Sequence, residues 1–442
     1  MNKYVLLNND ISLKHINNQL FLYNYRKNLL LEAPLSCERF FLLCDGSKKL
    51  EELKKLNIIN NNDINELIQE DIINLSNKPH NKKLDYIYYS KNFLKHISID
   101  ITNKCNLNCK HCYISNLVSK RSLNIREIKK VLLEAKKMGC LSVELSGGEP
   151  FARKDLLNIL KIIVKCRVGV VAILTNGVYL DNKVLNFLKT NKINTEFYIS
   201  LDGLKRSHEK FRGKKDIYEK IISNINKLVN SGFRITISTS LNKYNINEFE
   251  ELFEFIKHIG IRRWRVTSPF YSGNWIKNKQ NLGVNIDDEL NLYQKLIEKW
   301  INEEPSFILE CGNIFRSSEF SNKQQKYNIN SYCCDYYRNS CSIKCNGDVI
   351  SCGIHHPHFI CGNIRGTSFN KIWESKKMRT FKNLKIKDLL KHNKECKKCD
   401  LLWFCGLGCR FKALTLNGDA NYLDTYMCEI TKKYFKRNHS PI

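Results

Sequence analysis

Three cysteines carry the clearest chemistry in the chain. Cys105, Cys109 and Cys112 stand in the run CNLNCKHCY, separated by three and then two residues, a spacing that lets three thiolates converge on one inorganic centre. Three ligands on a four-iron cube leave one iron open, and an open iron can bind a substrate or cofactor. On spacing alone a structural zinc site, with His111 as fourth ligand, is the alternative. Farther along, Cys396, Cys399, Cys405 and Cys409 read Cys-x2-Cys-x5-Cys-x3-Cys, with Cys428 nineteen positions later and a Gly347-x4-Cys352 element upstream. Zinc competes there too.

The chain has 19 cysteines in 442 residues. Its N-terminus lacks the basic, apolar and small-residue order of a secretory signal, and no window approaches the apolar length of a membrane span. We therefore expect a cytoplasmic protein with no membrane partner, in a compartment where clustered thiols serve metals rather than disulfides. Apolar residues make up 43% and aromatics 11%, enough for a sizeable core. The net charge of +28 comes from lysines spread along the whole chain, with no single dense basic tract. Nucleic acid is accordingly not expected as a partner, whereas an acidic peptide or electron donor is compatible.

The elements that position these thiols follow from periodicity. Between residues 96 and 273, strand patterns at 97–101, 142–145, 168–174, 196–201, 234–240 and 263–266 alternate with helical ones. One helical face ends at Gly139 and another before Gly260. The alternation predicts right-handed βα units around a parallel sheet. The expected fold class is α/β: a partial, six-unit TIM-like barrel with a winged-helix-like N-terminal domain and a Cys-rich iron–sulfur C-terminal domain. Residues 1–75 show strand patterns at 4–7, 20–23 and 29–31, then helical ones at 37–44, 50–56 and 64–73. Residues 76–95 read as a linker, 274–332 as a bridge with one helix at 287–302, and 333–442 as a domain held by metal as much as by a core. In such barrels chemistry sits at the C-terminal strand ends, where the motifs fall.

In those positions the sequence resembles the radical SAM superfamily. The resemblance rests on the Cys-x3-Cys-x2-Cys triad with aromatic Tyr113 just after it and on Gly147-Gly148-Glu149-Pro150 after the second strand. It continues in Thr175-Asn176-Gly177 after the third, Ser200-Leu201-Asp202-Gly203 after the fourth, and His208 to Gly213. It implies a four-iron, four-sulfur cluster on Cys105, Cys109 and Cys112. It also implies an S-adenosylmethionine (SAM) site drawn from Tyr113, Gly147, Gly148, Glu149, Asn176, Ser200, Asp202 and Arg212. The GGEP turn would support the methionine amine and Arg212 the carboxylate. The residue types agree: glycines let a backbone approach a ligand, and Glu149, Ser200, Asp202 and Arg212 could pair with an amine, ribose hydroxyls and a carboxylate. The implied chemistry is reductive cleavage of SAM to a 5'-deoxyadenosyl radical that abstracts hydrogen. No catalytic residue is assigned beyond the cluster ligands.

The C-terminal spacing, with Gly362-Asn363-Ile364 and Ile372-Trp373, resembles the SPASM extension, which carries two auxiliary four-iron clusters. That likeness places Cys396, Cys399, Cys405 and Cys428 on one cluster and Cys334, Cys352 and Cys409 on the other. Cys341 joins the ligand set, and the fourth ligand stays open among Cys333, Cys341 and Cys345. Cys37, Cys44, Cys140, Cys166 and Cys311 are expected as ordinary buried thiols, and His355-His356-Pro357-His358 as a loop between ligands. Leu35 to Leu53 resembles the leader-binding element of peptide-modifying enzymes, which adds a peptide strand to its small sheet. The order of parts implies a maturase acting on a precursor peptide with a leader, supplied by an electron donor such as flavodoxin or ferredoxin. A cysteine thioether crosslink is the leading product, with an auxiliary cluster handling the thiolate or taking the electron. Carbon–carbon crosslinking, then oxidation as in sulfatase maturation, follow, and nucleic-acid modification comes last.

Overall fold

The computed structural model describes residues 3–91, 93–115, 122–317 and 326–437; part of the bridging region, 318–325, lies outside them. At the N-terminal end Tyr4–Leu7 lies between Asp45–Lys49 and Ile73–Ser76 in an antiparallel three-stranded sheet. Val5, Leu7 and Ile73 from this sheet pack with Phe40, Phe41, Leu53 and Ile64, which come from the short helices Glu38–Leu42, Leu50–Lys54 and Asn61–Gln69. A second sheet joins Leu29–Ala33, Gln19–Asn24, Ile11–Ile16 and Tyr86–Tyr89. The last strand falls inside the expected linker. Its aromatic run Tyr-Ile-Tyr-Tyr is β-prone and pairs in parallel with Ile11–Ile16, so 76–95 is part of the fold and not a free connection.

The second sheet docks on the N-terminal ends of the barrel strands. Asn28 Nδ2 donates to Val170 O at 3.0 Å, and Arg26 Nη1 donates to Asn191 O at 2.8 Å. Lys14 is completely buried at this junction, its Nζ donating to Cys140 O at 3.3 Å. Burial pulls its pKa from 10.5 down to about 8. Between those values the unfolded chain holds the proton that the folded chain releases, so stability rises with pH there, and below about 8 the cost is fully present. Lys14→Met is expected to stabilise the protein at neutral pH by about 2 kcal/mol. Urea unfolding checks this, and the gain should shrink above pH 10.

The barrel strands are His96–Thr102, Ser142–Gly147, Gly169–Thr175, Glu196–Ser200, Arg234–Ser240 and Arg263–Thr267, all parallel to their neighbours. Helices return between them; Ile125–Lys137, for example, starts on an Asn124–Glu127 capping box that satisfies two orphan donors. The sheet extends past the six expected units. Ile308–Cys311, from the bridge, adds in parallel to Arg263–Thr267, and Ser340–Ile343, from the Cys-rich region, adds in parallel to His96–Thr102. Both strands have only four residues, too short for a clear alternation in sequence.

Ile97, Ile99, Val143, Leu145, Phe197, Ile237, Trp264 and Leu309 belong to one core shared with the helices. Because strand side chains alternate between faces, their neighbours Ser98, Asp100, Glu144, Tyr198, Ser238, Arg265 and Glu310 turn to the opposite, concave face. That face is polar, unlike the packed apolar interior of a complete barrel. Among the described residues no helix is long and apolar enough to cross a membrane.

Candidate functional site

The cysteine loop leaves the first barrel strand at Thr102 and is fastened from three sides by backbone. Gly148 N donates to Thr102 O at 2.7 Å and Glu149 N to Lys104 O at 2.9 Å. Lys110 N donates to Phe211 O, and Asn274 N to Cys112 O, both at 2.9 Å, while Asn274 Nδ2 reaches Cys109 O at 3.0 Å. Gly273, at φ +54°, has its missing Cβ aimed 2.1 Å from Cys112 O, so a side chain there would collide with the loop. In the GGEP turn a Cβ at Gly147 would lie 2.2 Å from Thr102 O and one at Gly148 2.2 Å from Lys104 O, so these glycines make room for the backbone leading into the cysteine loop.

Two donors point at the sulfurs: Arg212 Nη1 lies 3.7 Å from Cys109 Sγ and Asn176 Nδ2 3.8 Å from Cys105 Sγ. Burial pushes the Cys109 thiol up to about 11, and Arg212 pulls against it. Soft thiol donors on a clamped loop, with hydrogen-bond donors aimed at them, fit an iron–sulfur cluster. Among the described residues no three His, Cys, Asp or Glu groups converge on a single metal ion. His111, the other zinc ligand considered, stacks on Phe211 at 4.4 Å between ring centres.

Two residues expected to touch SAM are turned inward instead. Glu149 is fully buried and accepts from Phe151 N, Thr175 Oγ1 and Asn176 N at 3.0, 2.8 and 2.7 Å. Burial pushes its pKa up to about 7. Asp202 is fully buried, accepting from Arg212 Nε at 2.5 Å and Ser240 N at 2.7 Å. Both carboxylates are shielded from solvent and tie neighbouring strand ends together through these hydrogen bonds. Asp202 is thereby the anchor of Arg212. Asn176 and Ser200 remain at the strand ends, and Arg212 ends the helix Lys205–Arg212. Tyr113 is held by Ser272 Oγ through its carbonyl, and its phenol lies near Ser146 and Asp100. His208 takes the Asp202 N–H on Nδ1 and is held neutral by burial, its pKa about 3; the sequence reading gave it no such role.

Among the remaining cysteines, two groups stand out. Cys396 lies within electrostatic range of Cys405, Cys428 and Cys399. Cys352 is similarly close to Cys409 and Cys334, and Cys333 to Cys334 and Cys409. Asp424 joins the groups, accepting from Cys409 N through Oδ2 at 3.0 Å and from Met427 N through Oδ1 at the start of the Cys428 helix. Cys341 belongs to neither group. It sits opposite Ile97 on its strand, wholly buried among the barrel core residues, and its nearest thiols are Cys140 and Cys361. Strand alternation turns it to the helix side. Cys345 lies near Asp100 and Lys344, which leaves Cys333 as the fourth thiol beside Cys334, Cys352 and Cys409. Cys44, Cys140, Cys166 and Cys311 are buried; Cys37 is half-buried.

Residues 99–256 match the radical SAM superfamily, and residues 333–400 match SPASM, an iron–sulfur cluster-binding domain. An AdoMet-dependent heme synthase of Methanosarcina barkeri is 27% identical over 73% of this chain and 93% of its own length. The Bacillus subtilis subtilosin biosynthesis protein AlbA is 25% identical over 73% of this chain and 68% of its own. Streptococcus suis SuiB, solved bound to its precursor peptide SuiA, superimposes with a TM-score of 0.67 at 18% identity, covering 96% of this chain and 100% of that one. Four-iron, four-sulfur clusters and SAM are accordingly its cofactors. The chain carries a radical SAM domain followed by a SPASM domain and is a radical SAM enzyme.

Proposed function

We propose that this enzyme matures a ribosomally made precursor peptide by joining one of its carbons to a cysteine sulfur. One observation carries the reading. A single chain sets a small antiparallel sheet with an open edge beside a polar-walled radical SAM barrel and two groups of cysteines, and its fold matches the peptide-bound SuiB structure over 96% of the chain. The heme-synthase relative aligns over 73%. When bound, the triad's cluster and SAM supply a deoxyadenosyl radical that abstracts hydrogen. The chain holds the cluster on Cys105, Cys109 and Cys112, steadies two of the sulfurs through Arg212 and Asn176, and offers Tyr113, Gly147, Gly148, Asn176, Ser200 and Arg212 around SAM. Glu149 and Asp202 act by positioning.

The open edge is Ile73–Ser76. Asn8 N donates to Ile72 O and Leu7 N donates away, to Cys44 O, so Ile73 and Leu75 direct their backbone groups outward, where a leader strand can add. The electron donor, an acidic protein such as flavodoxin or ferredoxin, has exposed Lys391, Lys394, Lys397 and Lys398 beside Cys396 and Cys399. With both auxiliary clusters present, Cys352→Ala is expected to lower bound iron by about four atoms per chain, while Cys341→Ala leaves it unchanged. Anaerobic iron and sulfide analysis reads both, and equal losses would overturn the ligand grouping.

The function is tested with a short cysteine-bearing precursor peptide, to be sought among the reading frames neighbouring this gene. Incubation with SAM and reductant should remove two hydrogens and leave the peptide thiol unreactive to alkylation. A product of that mass with a free thiol would favour a carbon–carbon bond, and no mass change would remove the reading. Leu75→Pro should weaken leader binding about tenfold by fluorescence anisotropy.

A further inference from the structure

On the concave face the positive charges outnumber the acids available to them. Glu310 alone meets Arg265 Nε at 2.9 Å, Arg316 Nε at 2.9 Å and Arg263 Nη1 at 3.4 Å. One carboxylate cannot neutralise three guanidinium groups. Of the other acids on this face, Asp100 pairs with buried Lys344 at 3.0 Å and Glu196 with Arg262 at 2.7 Å, while Glu144, though Arg265 acts on it, accepts from Ser98 at 2.8 Å and is pushed by burial toward its neutral form. The Arg316 side chain is 60% exposed, but that of Arg263 is only 12% exposed, and the Nε atoms of Arg263 and Arg265 are both buried without a well-aligned hydrogen-bond partner. Arg265 is 42% exposed, so its fork is open to the barrel space. Its place is set by register: Arg265 stands beside Ser238, and Ser238 beside Ser200, level with the strand end expected to meet SAM.

We propose that Arg263 and Arg265, oriented by Glu310, form a carboxylate-binding subsite that holds an acidic group of the peptide substrate inside the barrel. The class of ligand follows from the donors, since a guanidinium fork matches a planar carboxylate through paired hydrogen bonds. In a peptide that group is an Asp or Glu side chain or the C-terminus. Glu310 is a positioning residue, because its oxygens are taken by the arginines. The assignment of the ligand to a peptide rests on the maturase reading, whereas the carboxylate subsite does not.

The test uses the intact protein and limited arginine modification by phenylglyoxal, mapped by mass spectrometry. Excess propionate should slow modification of Arg263 and Arg265 by about fivefold relative to propionamide at matched ionic strength. Exposed Arg379 should be unaffected. Arg265→Gln should remove the protection at Arg263. Equal modification with and without propionate, or equal protection by chloride, would overturn the subsite. Two synthetic peptides then separate the sources: one with Asp and an amidated terminus, one with Asn and a free terminus. Protection by propionate, with no peptide ever altered by the enzyme, would keep the subsite and remove the maturase reading.

Discussion

A Gly148→Ala enzyme is expected to fold its barrel yet fail to hold iron in the Cys105 to Cys112 loop. The Cβ added at Gly148 would lie 2.2 Å from Lys104 O, 2.6 Å from Lys104 C and 2.9 Å from Asn103 C. All three are backbone atoms of the segment leading into Cys105, so no side chain can swing aside to relieve the clash. That segment is tied to the same turn by the Gly148–Thr102 and Glu149–Lys104 hydrogen bonds, and moving it breaks them. Overpacking of this kind costs about 1–3 kcal/mol of stability, which a domain of this size survives. The larger effect falls on the ligands: Cys105 moves with Lys104, and three thiols held at fixed spacing become two. Iron should fall by about four atoms per chain, and SAM cleavage should drop at least about a hundredfold. Gly366→Ala, whose Cβ meets nothing nearer than Asn363 O at 3.9 Å, is the control. Full iron content in Gly148→Ala would remove the clamp from the argument.

The βα rhythm was legible because long strands such as Arg234–Ser240 and amphipathic helices such as Ile125–Lys137 each carry their period within one segment. The polar side of the sheet is present in runs such as Ser-Ile-Asp-Ile-Thr and Arg-Trp-Arg-Val-Thr, but that it forms one concave face depends on how the strands are paired. What no local pattern carried was long-range pairing. Strands Ile308–Cys311 and Ser340–Ile343 are four residues each, and their identity depends on partners more than 40 residues away. The same limit misplaced Cys341, whose spacing suits a ligand but whose strand turns it into the core. Motif residues showed their type and order, not their direction. Glu149 and Asp202 sit where a SAM site would have them, yet each spends its oxygens on the protein, which only the neighbouring strand ends could reveal.

Asp202→Ala should be the most destabilising single change at the site. Arg212 is 8% exposed and Asp202 fully buried, with 2.5 Å between them. Removing one partner leaves a guanidinium in a place with little water, a loss of about 3–5 kcal/mol. It also frees the Arg212 fork from the direction that brings Nη1 to Cys109. A merely structural loss and a positioning loss differ in how they combine. If Asp202 acts through Arg212, then in an Arg212→Ala background the further change Asp202→Ala costs much less than it does alone, and both single variants weaken SAM binding alike. If Asp202 met the nucleoside directly, the two losses of SAM affinity would add. Urea unfolding of the iron-free proteins and SAM titration of the reconstituted ones supply the two cycles. Asp202→Asn gives the intermediate case: one amide oxygen can still take the Ser240 N–H, but the charge facing Arg212 is gone. Its stability should fall between wild type and Asp202→Ala, while its SAM affinity stays closer to that of Asp202→Ala, because charge, not shape, aims the arginine.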